Sequence, residues 1–373
     1  MKDKVLHICH ITTVHPPDDV RIFHKECKSL SKAGFVVSLI APHPIEKIAF
    51  DDVHFYGFEK AKSRLKRFLN TGKQVYRIAQ IVNADVYHFH DPDFLWFAYK
   101  LYRKGKKVVY DVHEDVPRQI LGKYWIPGYL RKMVSIMFES FENQFSSKFN
   151  AIVTATPYIK SRFEKINKRV VDINNFPLLE EFPLHVEPDY NGKSVCYAGG
   201  LEKVRGAITM VEAIGMTHLT LELAGKFSSL SVQHEAEKTK GWNQVVFHGF
   251  LNRTEVGKFY ANSFAGLVVL HPLPNYIEAI PVKMLEYMAA GLPVIASDFQ
   301  YWRTLIEEYN CSVFVNPERP EEIAAAMMEL HSNPQKCEEM GKRSRKAAIE
   351  KFNWETEAEK LINLYQNICS NFE

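Results

Sequence analysis

Paired cysteines, membrane-length apolar runs and internal repeats are all missing from this chain. Its six cysteines (Cys9, Cys27, Cys196, Cys311, Cys337 and Cys369) are scattered, with no Cys-x-x-Cys pair and no local metal-ligand spacing. That argues against a disulfide-stapled scaffold or a zinc ribbon, and reads as free thiols in a reducing cytoplasm. The opening MKDKVLHICHITT carries too short an apolar run for a signal peptide, and no later run is long enough to span a bilayer. A cytoplasmic protein is expected. No Asp-x-Asp pair with following acids makes a persuasive metal site. Asp91-Pro92-Asp93 has the spacing, but its first position fits a donor or acceptor contact equally well. No convincing enzymic nucleophile stands out, and no nucleic-acid module accompanies the basic residues.

What is present is an ordinary globular composition, 46% hydrophobic and 24% charged, in 373 residues, enough for two domains. The net charge of +3 hides an asymmetry. Residues 1–186 hold 29 Lys and Arg against 20 Asp and Glu, and the remainder holds 18 against 24. The basic half includes KAKSRLKRF (60–68), KLYRKGKK (100–107) and KYWIPGYLRKM (123–133), the last two with interleaved aromatics. Solvated helix faces explain such runs as well as a surface for anionic lipid headgroups does.

Along the chain, strands and helices alternate. VLHICHI (5–11), FVVSLIA (35–41), ADVYHFH (84–90), KVVYDVH (107–113) and AIVTAT (151–156) read as strands, with helices over 20–33, 63–82 and 127–147. A polar, proline-bearing connection follows over 174–194. The alternation restarts with SVCYAGG (194–200), LTLELAG (219–225), QVVFHG (244–249), AGLVVL (265–270), PVIAS (293–297) and CSVFV (311–315). Helices over 320–352 and 354–370 close the chain. This pattern predicts an α/β protein of two doubly wound parallel-sheet domains facing a cleft. Ligands of such sheets sit beyond the strands' carboxyl ends. His15, Asp19, Arg21, His90 and Asp91 gather there in the first half, at the rim facing the cleft.

The stretch NYIEAIPVKMLEYMAAGLPVIASD (275–298) places two acids around a helix start. Pro281 suits the first helical position and Gly291 the stop. Glu278 therefore precedes a helix N-terminus and Glu286 lies in the second turn. Such an N-terminus attracts anions. A diphosphate could face the N–H groups of Ala279, Ile280, Pro281's neighbour Val282 and beyond. Carboxylates on either side could then accept from a ribose diol (Glu286) and a sugar (Glu278). An exposed helix acid and a loop acid are the plainer reading, and the paired spacing favours the functional one.

The same stretch resembles the donor-site signature of retaining GT-B glycosyltransferases, glycosyltransferase family 4. The likeness continues through HPPDDVRIFHKECKSLSKAGF, VYHFHDP, VVYDVHED, YAGGLEKVRG, FHGFLNRTEV and FNWETEAEKLINLY, in the order that family shows. The resemblance implies two Rossmann-like domains, 1–185 on the acceptor side and 186–353 on the nucleotide-sugar side. It also implies a last helix, 354–373, returning to the first domain. His113 matches the family's active-site histidine, Glu278 the sugar-contacting acid and Glu286 the ribose acid. Gly199, Gly200, Arg205, Lys283, Gly225 and Phe250 complete the implied donor site. Two departures stand out: Gly200 occupies the place of a usual arginine, and His15-Pro16-Pro17-Asp18-Asp19 replaces a Gly-Gly turn. Lys283, or less favourably Lys203, would then supply the second cation of the diphosphate clamp.

The implied reaction moves a sugar from a nucleotide diphosphate to an acceptor hydroxyl with retention. It requires no metal and no other cofactor. A saccharide or lipid-linked acceptor, in surface polysaccharide or glycolipid synthesis, and peripheral contact with an anionic inner membrane face are the expected partners; nucleic acid is not. A nucleotide-sugar 2-epimerase and a non-catalytic nucleotide-sugar-binding subunit are the rival readings.

Overall fold

The computed structural model describes residues 5–43, 47–50, 52–59, 70–123 and 126–369. The basic run 60–68 and the first turns of the helix expected from 63 lie outside them. The chain divides into two compact units, Met1–Asn175 with Glu355–Glu373, and Phe176–Trp354.

The first unit is built on strands β1 (His7–Ile11), β2 (Val36–Pro42), β3 (Lys47–Phe50), β4 (Val53–Phe58), β5 (Val86–Phe89), β6 (Lys107–Val112), β7 (Ala151–Thr154) and β8 (Val170–Asp172). They lie side by side in the order β3-β4-β2-β1-β5-β6-β7-β8, all parallel except the antiparallel edge pair β3–β4. The second unit carries β9 (Ser194–Leu201), β10 (Thr220–Phe227), β11 (Val245–Gly249), β12 (Ala265–Val268), β13 (Val294–Ser297) and β14 (Ser312–Val315). Their order is β11-β10-β9-β12-β13-β14, wholly parallel. The central strands are runs of Val, Ile, Leu and Ala buried on both faces, which is what a parallel sheet covered by helices requires. In each sheet the chain winds outward one way from its first strand and then returns to its other side. The reversal falls between β1 and β5, and between β9 and β12. Loops diverge there and leave a crevice at the strand ends.

Several expectations need amending. β3, β4 and β8 were not anticipated. The helix expected over 320–352 is two helices, Pro320–His331 and Pro334–Glu350. Pro334 cannot continue the first, and the Asn333 side chain caps the second by accepting the Lys336 N–H. The division between units falls at 175/176 rather than 185/186. Phe176 and Phe182 are buried in the second unit's core, where Arg345 donates to the Phe182 carbonyl at 2.7 Å. At the other end, Glu357 of helix Trp354–Cys369 accepts the Asn174 N–H at 2.9 Å within the first unit.

Five cysteines, Cys9, Cys27, Cys196, Cys311 and Cys337, are buried free thiols. Among the described residues no helix is long and apolar enough to cross a membrane.

Candidate active site

In the second unit the site forms around the β9–β12 crevice. Beyond β12 a short helical turn, Pro274–Ile277, ends on Glu278, which is exposed. The Ala279 N–H returns to the Tyr276 carbonyl at 3.2 Å, and the Ala279 carbonyl accepts from the Trp302 indole at 2.9 Å. Trp302 is fully buried, so the stretch Glu278–Pro281 is pinned from behind. Pro281 then opens helix Val282–Ala290 with no side-chain cap, and Gly291, at φ +81°, closes it in the left-handed conformation. No acid occupies the first turn. The helix start therefore keeps its attraction for an external anion.

Glu286 is held from two sides. Its Oε2 accepts from the Tyr260 hydroxyl at 2.8 Å and from Lys283 Nζ at 2.7 Å. Lys283, expected at the phosphates, leans along its own helix onto Glu286. Lys203 is paired with Glu235 on the surface. The cation beside Gly200 is Arg205: its Cδ and Nε lie 3.8 Å from where a Gly200 Cβ would stand, and its guanidinium sits over the Tyr276 ring. Gly199 and Gly225 face each other in the β9–β10 ladder, and a Cβ on Gly225 (φ +144°) would collide with the Gly199 carbonyl. Their first role is close strand packing. Phe250, just past β11, is 82% exposed.

In the first unit the β1–β5 crevice holds His113, and Asp111 organises it. Asp111, one residue before the end of β6, has no exposure. Arg21 grips it with Nε at 3.2 Å and Nη2 at 3.1 Å. His113 Nε2 is 2.8 Å from the same carboxylate, and His90 Nδ1 is 3.1 Å away. Burial alone would push Asp111 up, but Arg21 and His113 outweigh it and hold it well below the usual carboxylate range. His113 spends Nε2 on this contact, leaving Nδ1 as its remaining nitrogen. Arg21 and His90 are themselves buried, so they position His113 rather than meet an acceptor, as had been expected of them.

Asp19 is likewise structural in part. It caps the helix opened by the π-wound Val20–Cys27, accepting the N–H groups of Arg21 and Ile22 at 2.9 and 3.0 Å. Its other oxygen is 3.3 Å from His15. Asp91 accepts from the Thr12 hydroxyl and the Thr13 N–H, both at 2.7 Å, and so ties the β1 loop to the β5 loop.

Sequence reasoning missed Asp111, Tyr260 and the buried residues His10, Glu26 and His88, which lie with His90 beneath His113. His10 pairs with His88 across the β1–β5 ladder, and His90, two residues on, shares that face. The period-two spacing of His88 and His90 in VYHFH was the available signal. Burial keeps all three histidines below their ordinary titration range, His90 at about 4.

Two parallel sheets of this order, each with polar groups at its point of reversal, define an α/β protein of the GT-B class. The family model Glycosyltransferase Family 4 matches residues 20–176, and Glycosyl transferases group 1 matches 185–347. The alpha-galactosylglucosyldiacylglycerol synthase of Streptococcus pneumoniae is 26% identical over 275 residues, 68% of this chain and 70% of that one. Among solved structures, the sucrose-phosphate synthase of Thermosynechococcus elongatus superposes with a TM-score of 0.78 at 17% identity, covering 98% of this chain and 99% of that chain. HepE of Anabaena, solved with UDP-glucose, gives 0.71 at 12% identity, covering 97% and 100%. The chain is a glycosyltransferase of the family 4 type.

Proposed function

We propose that the protein transfers a hexosyl group from a nucleoside diphosphate to an acceptor hydroxyl, with retention, in the synthesis of a surface polysaccharide or glycolipid. The observation that carries this reading is the Pro281 turn. An uncapped helix start lies between an exposed Glu278 and a Glu286 preset by Tyr260 and Lys283. An anion-attracting end with acceptors for hydroxyls on both sides suits a diphosphate held between two hydroxylated rings.

In this reading Glu286 receives the ribose diol, the diphosphate lies at the N–H groups of the Pro281 turn, and Arg205 supplies its cation. Glu278 receives hydroxyls of the sugar, and His113, held by Asp111, contacts the sugar near its reacting carbon. The leaving diphosphate is stabilised by these groups without a divalent metal. As the bond from the anomeric carbon to the phosphate oxygen breaks, that oxygen takes the acceptor's proton and the acceptor oxygen bonds to the same face. No enzymic nucleophile is required.

A lipid-linked acceptor and peripheral contact with an anionic membrane belong to the same proposal. Their support is the name of the pneumococcal relative and one face of helix Gly128–Ser146. Tyr129, Met133, Ile136 and Met137 are all more than half exposed there, with Lys132 beside them.

Calorimetry with free nucleoside diphosphate, alongside turnover assays, tests the division of labour. A hydrogen bond to a charged group contributes about 1.5–3 kcal/mol, or about ten- to a hundredfold. Glu286→Ala should weaken the nucleotide by that factor, while Glu278→Ala should leave it bound and lower turnover. Equal losses of nucleotide affinity in both variants would sink the assignment. A new sugar nucleotide formed without acceptor would identify an epimerase instead.

A further inference from the structure

We infer that His10, His88, His90 and Glu26 form a binding site for one divalent transition-metal ion, of zinc type, in the floor of the first unit. The site is separate from the donor chemistry proposed above and does not depend on it.

The argument starts from the donor atoms. His10 Nδ1 is 3.0 Å from His90 Nε2 and 3.6 Å from Glu26 Oε2, and His90 Nε2 is 3.9 Å from that same oxygen. One donor atom from each of the four residues falls within 4.8 Å of all the others. Donors bound tetrahedrally at the usual zinc distances stand about 3.3 Å apart, so the spacing already matches. Three imidazoles with one carboxylate suit zinc and its first-row neighbours rather than calcium or magnesium.

A second, independent observation is a set of unmatched atoms at the same spot. All four side chains have no exposure. His88 Nε2 makes no hydrogen bond, and neither oxygen of Glu26 receives a well-aligned one, its Oε1 having only the ion pair with Arg21. Buried polar atoms left unmatched cost about 1–3 kcal/mol each, so several converging on one point mark the place of a missing partner. That partner is positive. The single charge of Arg21 is shared between Asp111 and Glu26, with Nε 3.1 Å from Glu26 Oε1, so a second cation would balance the pair when both acids are ionised.

The surrounding groups are those a metal site needs. The other nitrogen of His90 lies 3.1 Å from Asp111, and the other nitrogen of His88 pairs with the Tyr365 hydroxyl. Carboxylate and hydroxyl partners of this kind fix the tautomer and ring orientation of metal-bound histidines. The ion would tie β1, β5 and the helix from Val20 together directly beneath the Asp111–His113 contact. Its role is to hold that floor rigid.

The untagged full chain should be unfolded in chelator, refolded with Zn(II), freed of loose ions by gel filtration and assayed by plasma mass spectrometry. About one ion per chain is expected. X-ray absorption at the zinc edge should show three imidazole ligands, and refolding with zinc should raise the melting temperature above that of chain refolded in chelator. The variants Glu26→Gln and His88→Gln should lose the ion. If either variant fails to fold, wild-type stoichiometry and the ligand count decide the matter alone. Zinc content far below one per chain, or an edge spectrum with fewer than three imidazoles, overturns the proposal. The first result would make the cluster a metal-free polar network, and the second would place the ion on surface histidines.

Discussion

At the scale of single residues, Asp111 does the most organising in the first unit and was the least visible in the sequence. It stands within VVYDVHED, yet its importance arises from Arg21, 90 positions away in the chain. His113, His90, Asp91 and Asp19 were found because they follow strands, a local signal; their partners were not, because contacts through a fold leave no local trace. Removing the Asp111 charge takes from Arg21 its two-point partner and leaves it the ion pair with Glu26, at 3.1 Å, in a buried place. Loss of one member of such a pair costs about 3–5 kcal/mol. Asp111→Asn should therefore lower the denaturant midpoint accordingly, and a loss under about 1 kcal/mol would mean that the pair behaves like an exposed one.

His15 makes a prediction of a different kind. Its hydrogen bond with Asp19 raises its pKa against the lowering effect of burial, with Asp91 and Glu114 adding to the rise. For Asp19, burial would raise the pKa, but the contacts with His15 and the Ile22 N–H hold it well below the usual range. A raised histidine stabilises the fold fully below its ordinary value of 6.5 and ceases to do so as pH climbs through the folded value. A depressed aspartate stabilises above its ordinary 3.8 and fails as pH falls through its folded value. The melting gap between wild type and His15→Gln should thus be widest near about pH 5–6 and shrink toward about pH 9. A gap independent of pH would show that the imidazole is uncharged throughout.

At the scale of elements, the central strands were legible because strands buried on both faces are continuous apolar runs with sharp ends. VHFYGF alternates more and KIAF is short, so the edge pair β3–β4 escaped notice. The three residues of β8 carry no pattern at all. Pro334 marks the break within 320–352, since proline cannot continue the preceding helix. Gly225 shows where a motif residue has a packing reason. At φ +144°, opposite Gly199 in the ladder, an added methyl group meets backbone that cannot give way. Gly225→Ala should destabilise the protein by about 2–4 kcal/mol, combining backbone strain with overpacking. A fully stable variant that merely binds nucleotide poorly would return this glycine to the ligand.

At the scale of the whole molecule, the alternation of strands and helices and its restart after the connection were enough to foresee two parallel sheets. The charge asymmetry was equally plain, but charge alone could not separate a solvated surface from a lipid-facing one. Helix Gly128–Ser146 sharpens the choice. Tyr129, Met133, Ile136 and Met137 recur at helical spacing and are 84, 51, 57 and 64% exposed, the apolar stripe on which the proposed lipid contact rests. Lys132 lies among them and is exposed as well. In the proposed contact these apolar side chains would enter the headgroup region, and basic residues would contribute about 1 kcal/mol each near anionic lipid. Vesicle sedimentation should show binding that rises with acidic lipid content. It should fall with added salt, since exposed charges are screened beyond about 8 Å under physiological conditions. The double variant M133E/I136E should reduce binding by at least about tenfold while leaving slow hydrolysis of the sugar nucleotide unchanged, because neither residue belongs to the site. Binding that ignores lipid charge, salt and the double variant alike would assign this face to solvent, and the excess of lysine and arginine in the first half to solubility alone.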